Sequence, residues 1–237
     1  MSAISWLNKL EIWVAELQVK TLLVKFTLDT PTGVSPSKMR GAVAAQFEQY
    51  ILLHHHFGQL LLYRYPMIQY KFLGPSPTIV GINEGADLLH KIHYDLDRLT
   101  IRREEIKIIG KNLIFRSDDY RLSNQPIFYS FLTPWLALNE KNYEQYMKFG
   151  TWSERKELLE NILIGNILSV SKSLGYTVAE PIKVEIGKMH EVKTRLKDVP
   201  MIGFLGTFSV NFEIPDYWGL GKSVSRGFGT LIKCNSL

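Results

Sequence analysis

The order of elements along the chain predicts an α+β fold of two tandem ferredoxin-like (βαββαβ) halves. Three observations carry this. In the first half, stretches rich in β-branched residues and two helical stretches follow in the order strand, helix, two strands, helix, strand. Midway, a polar and charged run at 116–125 interrupts the apolar pattern. Beyond it, strands resume around one long amphipathic helix. No residue-level repeat relates the halves, so the doubling rests on element order.

Residues 17–28 alternate and are β-branched, a first strand. The break at 29–33 carries Pro31 and Gly33, and Ser35-Pro36-Ser37 then starts a helix with a hydroxyl cap beside a proline. That helix is expected to reach Leu53, with Met39, Val43, Phe47 and Tyr50 inward. Strands are expected at 60–65, 67–72 and 78–82, with Pro66 marking an edge or bulge. A second helix opens at Asn83 and runs to Leu96, followed by strand at 99–109 and 113–115. In the second half, 127–138 reads as strand, and 141–149 and 152–174 as helix. Leu158, Leu159, Ile162, Leu163, Ile167 and Val170 share one side of the longer helix, which Gly175 ends. Strands at 182–186, 193–197, 201–214 and 230–233 complete the count. The expected divisions are an amphipathic segment 1–16, a first domain 17–116, a linker 117–126 and a second domain 127–237.

At 46% hydrophobic residues the chain can bury a core, and the composition argues against disorder. The net charge of +5 is compatible with a nucleic-acid partner without requiring one. Cys234 is the only cysteine, so neither an internal disulfide nor a cysteine metal cage is available, which suits a reducing cytoplasm. No secretory signal is evident, and no apolar run is long enough to cross a bilayer. Trp6, Leu7, Leu10, Trp13, Val14 and Leu17 recur at helical spacing, an apolar stripe for the body of the protein or a second subunit. With Lys9 its one cation, that stripe makes a poor membrane-surface element.

The stretch 219–229 holds four glycines in eleven residues, with Lys222 and Arg226 between them. Glycine permits positive φ and close backbone approach, and consecutive N–H groups can form an anion nest. The stretch therefore reads as a phosphate-tracking loop. A nucleotide P-loop would need glycine where Asp216 stands and a long helix afterwards, and the sequence supplies neither. A glycine-rich hairpin that only closes a sheet remains the bland alternative.

His54, His55 and His56 follow the first helix. On a helix they would splay by roughly 100° each and could not act together. In an extended segment His54 and His56 share a face, with Cα atoms about 6.6 Å apart. That span fits two sides of one phosphodiester: one imidazole takes the proton of a ribose 2′-OH, the other protonates the leaving 5′-oxygen. An unperturbed pKa of about 6.5 suits both roles, and a nearby cation would stabilise the phosphorane. Solvated helix-end histidines, favoured by the helix dipole, are the competing reading. A zinc-binding tract is the third, though no His-Glu-x-x-His pattern accompanies it. His90 and His93 lie one turn apart on a helix face.

Taken with Met39-Arg40-Gly41-Ala42, with Tyr63-Arg64-Tyr65-Pro66-Met67-Ile68-Gln69-Tyr70-Lys71 and with Val80-Gly81-Ile82-Asn83-Glu84-Gly85-Ala86, these features resemble one family. It is the CRISPR-associated endoribonucleases of the RAMP superfamily that process precursor CRISPR RNA. The likeness is closest to the subgroup in which a His-x-His pair precedes a Tyr-x-Tyr-Pro-x-x-Gln-Tyr-Lys stretch. The resemblance covers residues 19–96 and the terminal loop. It implies metal-independent cleavage within repeats by the RNA's own 2′-OH, leaving a 2′,3′-cyclic phosphate and a 5′-hydroxyl, with no cofactor. It implies His54 and His56 as the catalytic pair, with Lys71 as candidate for charge stabilisation. It also implies Arg40, Gly219, Gly221, Lys222, Ser223, Arg226, Gly227 and Gly229 as RNA contacts. Trp218 and Phe228 are either stacking platforms or core. Some relatives place a tyrosine before the first helix; 29–36 has none, and Tyr63, Tyr65 and Tyr70 are weak substitutes. His55 stands where relatives often carry another residue.

The implied partner is a precursor CRISPR RNA repeat. Membership of a CRISPR effector complex and a homodimer through Trp6 and Trp13 stay open. Two other functions also stay open: a non-catalytic RNA-binding subunit, which keeps the loop without needing the histidines, and a metal-dependent hydrolase using the histidine tract.

Overall fold

The first strand, β1 (Leu17–Leu28), alternates as its sequence demands, with Leu22, Val24 and Phe26 facing one core and Val19 and Leu23 another. The computed structural model describes residues 17–30, 33–54, 56–57, 60–61 and 64–235, with the side chains of 54–63 excepted. The expected amphipathic segment 1–16, with Trp6 and Trp13, lies outside the described residues, as do His55 and Tyr63.

Helix α1 (Pro36–Gln46) starts as predicted: Ser35 Oγ accepts from Lys38 N at 3.3 Å and Pro36 fills the first turn. It stops short of Leu53, because Phe47 leaves helical dihedrals (φ −127°, ψ 54°) and buries its ring. A one-turn helix α2 (Ile51–His54) follows, then the short pair β2 (His56–Phe57) and β3 (Leu60–Leu61). The half is completed by β4 (Ile68–Leu73), β5 (Ser76–Ile82), α3 (Glu84–Ile92) and β6 (Arg98–Ile101). The α3 start lies hard against the sheet: a Cβ on Gly85 would sit 2.0 Å from the carbonyl oxygen of Met67.

The sequence pattern breaks 99–138 into strand, linker and strand. Instead Glu104–Phe131 is one 28-residue strand, β7. Residues 117–126 are extended, and their polarity has a local cause. Asp118 pairs with Arg116 at 3.2 Å, and Arg121 with Asp119 at 3.3 Å and Glu213 at 3.5 Å. Between them Tyr120 points inward, 1% exposed, its hydroxyl donating to Ile167 O at 3.0 Å. The pairing register shifts between Leu122 and Ile127, a bulge that accommodates Pro126.

The second half adds α4 (Glu140–Lys148), α5 (Trp152–Leu174), β8 (Val184–Leu196), β9 (Val199–Glu213), a 3-10 turn (Val224–Arg226) and β10 (Leu231–Cys234). Helix α5 opens with a capping box of Thr151 and Glu154 and ends at left-handed Gly175. It buries Leu159, Leu163, Ile167 and Val170, while Leu158 and Ile162 are half-buried.

All pairings among the described residues are antiparallel. The first half has the spatial order β4-β5-β1-β7, the second β8-β9-β7-β10. Each is the second-third-first-fourth order of a ferredoxin-like unit, and β7 is the fourth strand of one and the first of the other. Its early residues pair with β6 and β1 up to Leu17↔Tyr120; from Arg121↔Glu213 it pairs with β9, and at Phe128 to Phe131 also with β10. In the second half the step from β9 to β10 is made by the glycine-rich stretch and the 3-10 turn, where the first half has helix α3 between β5 and β6.

The close approach at Gly85 makes a sharp test. Gly85→Ala is expected to destabilise the fold by about 1–3 kcal/mol through overpacking, read as a lower urea midpoint. Gly165→Ala, mid-α5 with nothing within 4 Å of its new Cβ, is expected to stabilise by about 0.5–1 kcal/mol.

Candidate nucleic-acid interface

The glycine-rich loop begins at a bridge, Gly219↔Thr230, and is held by the first half of the chain. Gly219 N donates to Gln69 Oε1 at 3.0 Å, and Tyr65 Oη donates to Gly219 O at 2.9 Å. Thr230 closes the other side, its Oγ1 accepting from Lys71 Nζ at 3.1 Å and donating to Gly227 O at 3.3 Å. Gln69 and Lys71 alternate on β4, so both reach the same face, and both are fully buried. The Tyr-Pro-x-x-Gln-Tyr-Lys stretch thus has a physical meaning: three of its side chains fasten the terminal loop to the other half. Sequence reasoning singles out Lys71 and misses Tyr65 and Gln69 as loop anchors; the i, i+2 spacing of Gln69 and Lys71 is the available signal.

Within the loop the N–H groups of Gly219, Leu220, Lys222, Arg226, Gly227 and Gly229 are committed. Leu220 N donates to Gly229 O, Gly229 N to Pro134 O, Lys222 N to Leu136 O, and Gly227 N to Val224 O, at 2.9–3.1 Å. A backbone cradle for phosphate, as the glycines led us to expect, is therefore closed at Gly219, Gly227 and Gly229. These glycines answer to space instead. At Gly227 (φ +87°) a Cβ would lie 2.9 Å from Pro36 Cγ and 3.0 Å from Tyr70 O; at Gly229 (φ +62°) it would lie 1.9 Å from Leu220 O. Gly221 (φ +89°) backs onto the Trp135 ring in the same way. The loop instead presents side chains: Lys222 is exposed, and Ser223 and Arg226 are half-exposed. Trp218 is core, fully buried, with its indole N–H directed at Thr21 Oγ1 at 3.4 Å; Phe228 is half-buried.

Gly227 against Pro36 sets the 3-10 turn on the start of α1, and this brings Arg226 to Arg40. Arg40 is half-buried, and its guanidinium is held below its ordinary value first by burial and then by the charge of Arg226. Tyr70 acts on it in the opposite sense. The Tyr70 hydroxyl is buried with no hydrogen-bond partner among the described residues, and burial pushes its phenol up. The two guanidiniums concentrate positive charge at a partly buried seam.

Lys71 lies in a different place from the one expected. It has no exposed surface, so its ammonium touches no bound phosphate in this conformation. Burial lowers its pKa to about 7. His54 ends α2 and His56 begins β2; their side chains lie outside the described residues. Their backbone segment adjoins α1, which in turn contacts the 3-10 turn. Among the described residues no three His, Cys, Asp or Glu side chains are grouped for a metal, and the histidine tract is not part of that set. Among them, too, no helix is long and apolar enough to cross a membrane. His90 and His93 stack on one another, ring centroids 5.4 Å apart.

Two ferredoxin-like halves are the fold of solved Cas6 proteins. A type IV Cas6 crRNA endonuclease shares the fold at 13% identity and TM-score 0.55, over 92% of this chain and 100% of its own. Nearer matches fix the family. Residues 17–119 match the Cas6b N-terminal domain and 121–234 the Cas6b C-terminal domain. A crystal structure of Cas6b is 37% identical with TM-score 0.85, and one of the CRISPR RNA processing endoribonuclease Cas6b is 35% identical with TM-score 0.72. Each match covers 92% of this chain and 100% of the other. An uncharacterized protein of Methanocaldococcus jannaschii is 39% identical over 143 residues, 60% of this chain and 97% of that protein. The chain belongs to the Cas6b family.

Lys71 has a measurable signature. The unfolded chain keeps it charged up to its ordinary 10.5, the folded chain only up to about 7. Between those values the unfolded state binds more protons, so this residue makes stability rise with pH from about 7 to about 10.5. Lys71→Met is expected to flatten that rise in urea midpoints measured across the window. An unchanged slope would contradict the buried, discharged amine.

Proposed function

We propose that this protein is a CRISPR RNA processing endoribonuclease that cuts precursor CRISPR RNA within its repeats, without a metal ion. The observation that carries the reading is the meeting of Arg40 and Arg226 where the loop docks on α1, the helix that leads into the segment bearing His54 and His56. Membership in Cas6b supports it, as does the CRISPR RNA processing activity of the 35%-identical relative.

In the proposed reaction the 2′-oxygen attacks the adjacent phosphorus. One histidine of the His54/His56 pair takes the 2′-OH proton. The P–O5′ bond breaks, and the other histidine supplies a proton to the departing 5′-oxygen. The products are a 2′,3′-cyclic phosphate and a 5′-hydroxyl. Arg40 and Arg226 hold the phosphate and Lys222 a neighbouring one, which positions the strand and relieves its charge. Lys71 acts at one remove, fixing Thr230, which in turn fixes the turn carrying Arg226.

Repeat RNA incubated in EDTA is expected to be cut, and the same RNA with a 2′-deoxyribose at the scissile position to stay whole. Replacing His54 and His56 together by alanine is expected to abolish cutting while leaving affinity within about twofold, since base contacts and phosphate contacts remain. Cutting by the double variant at the wild-type rate, or cutting that stops in EDTA, would refute the mechanism. Binding without any cutting by the wild-type protein would make the chain a non-catalytic RNA-binding subunit. Arg226→Ala is expected to reduce the slope of log affinity against log salt by about 0.7 for single-stranded RNA.

A further inference from the structure

A second feature lies on the other side of Lys222. Between the start of α4 and the distal parts of β8 and β9 there is an open cleft of about 990 Å³. Leu138, Met201 and the ring of Tyr143, which is 44% exposed, give it an apolar lining. Lys193 and Arg195 of β8 and Lys222 of the glycine-rich loop line it, while Glu140 is the one acid on its lining among the described residues. All three cations are exposed, and none is in an ion pair among the described residues. Lys193 and Arg195 are two apart on β8, so they face the same way at about the spacing of successive contacts along an extended strand.

We infer that this cleft binds a single-stranded stretch of the RNA, continuing the strand from the Arg40–Arg226 seam past Lys222. Complementarity selects the occupant. Three unneutralised cations around an apolar floor call for a ligand that is anionic outside and flat and apolar within. A nucleotide is that ligand: the phosphates lie along Lys193, Arg195 and Lys222, and the base stacks on Tyr143. A duplex hides its base faces and offers its backbone and polar groove edges, which leaves the apolar floor bare. The inference rests on the RNA-processing reading above and extends it to a second contact site.

The test separates the two. The probe is a repeat RNA from the same genome, methylated at every 2′-oxygen so that it cannot be cut, with 4-thiouridine in its unpaired stretches. Photo-crosslinks from those positions are expected on the peptide carrying Tyr143 or on the one carrying Lys193 and Arg195. Tyr143→Ala is expected to weaken binding about tenfold. Lys193→Gln with Arg195→Gln is expected to lower the salt slope by about 1.4. Crosslinks confined to other peptides, or both variants binding as the wild type does with unaltered thermal unfolding, would overturn the inference even if repeat cutting is intact. A wild-type protein that crosslinks in the cleft yet never cuts unmodified repeat RNA would sink the processing reading and leave the cleft standing.

Discussion

The structure depends on one strand doing service in two sheets. The part of β7 from Glu104 to Tyr120 answers to β6 and β1, and the part beyond Tyr120 to β9 and β10. A shared strand leaves no hinge between the halves, so their relative orientation follows from backbone hydrogen bonding and strand twist. The interior agrees with this. Val19, Leu23, Val80 and Ile82 of the first half share a core with Phe208, Phe212 and Trp218 of the second. The seam between the halves is core, with aromatic rings in contact across it, such as Tyr65 and Trp218 at 5.9 Å.

That rigidity is what makes a polar anchor across the seam effective. Tyr65, Gln69 and Lys71 bond to Gly219 and Thr230 at the two ends of the loop. Buried polar groups of this kind are costly unless paired, and each here has a partner supplied by the other half. The two anchors set the loop's ends, and the packing of Gly227 on Pro36 sets its middle. Arg226 arrives beside Arg40 as a consequence. The two guanidiniums are held near one another by a scaffold whose cohesion comes from the shared core and the polar anchors.

Much of this was legible in the sequence, and the failures have physical causes. The cap at Ser35, the helix at 152–174 and its stop at Gly175 followed from local rules that tertiary packing did not override. The polar residues of 117–126 predict a linker, whereas they belong to strand β7. Composition cannot tell a solvated connection from a strand whose outer face is laced with Arg116–Asp118 and Arg121–Asp119 pairs. The glycines mark the loop, but not that the N–H groups of Gly219, Gly227 and Gly229 bond within the protein while Lys222 reaches the surface. Lys71 was found as a notable cation, but sequence carries no depth, and the fold sealed it. The cleft beside Tyr143 was invisible, since it joins residues from separate stretches of the chain.

The shared strand also governs how such a chain can vary in length. Side chains on β7 alternate faces, so dropping or adding one residue between Gly110 and Tyr120 turns the positions after it inside out as far as the next bulge. Such a slip can be absorbed at the bulge between Leu122 and Ile127 or at the one at Ile109, where extra residues already stand outside the ladder. A change of length in β7 is therefore least disruptive at those two irregularities and at the strand's ends, while the stretch between Gly110 and Leu122 tolerates none without reversing its faces.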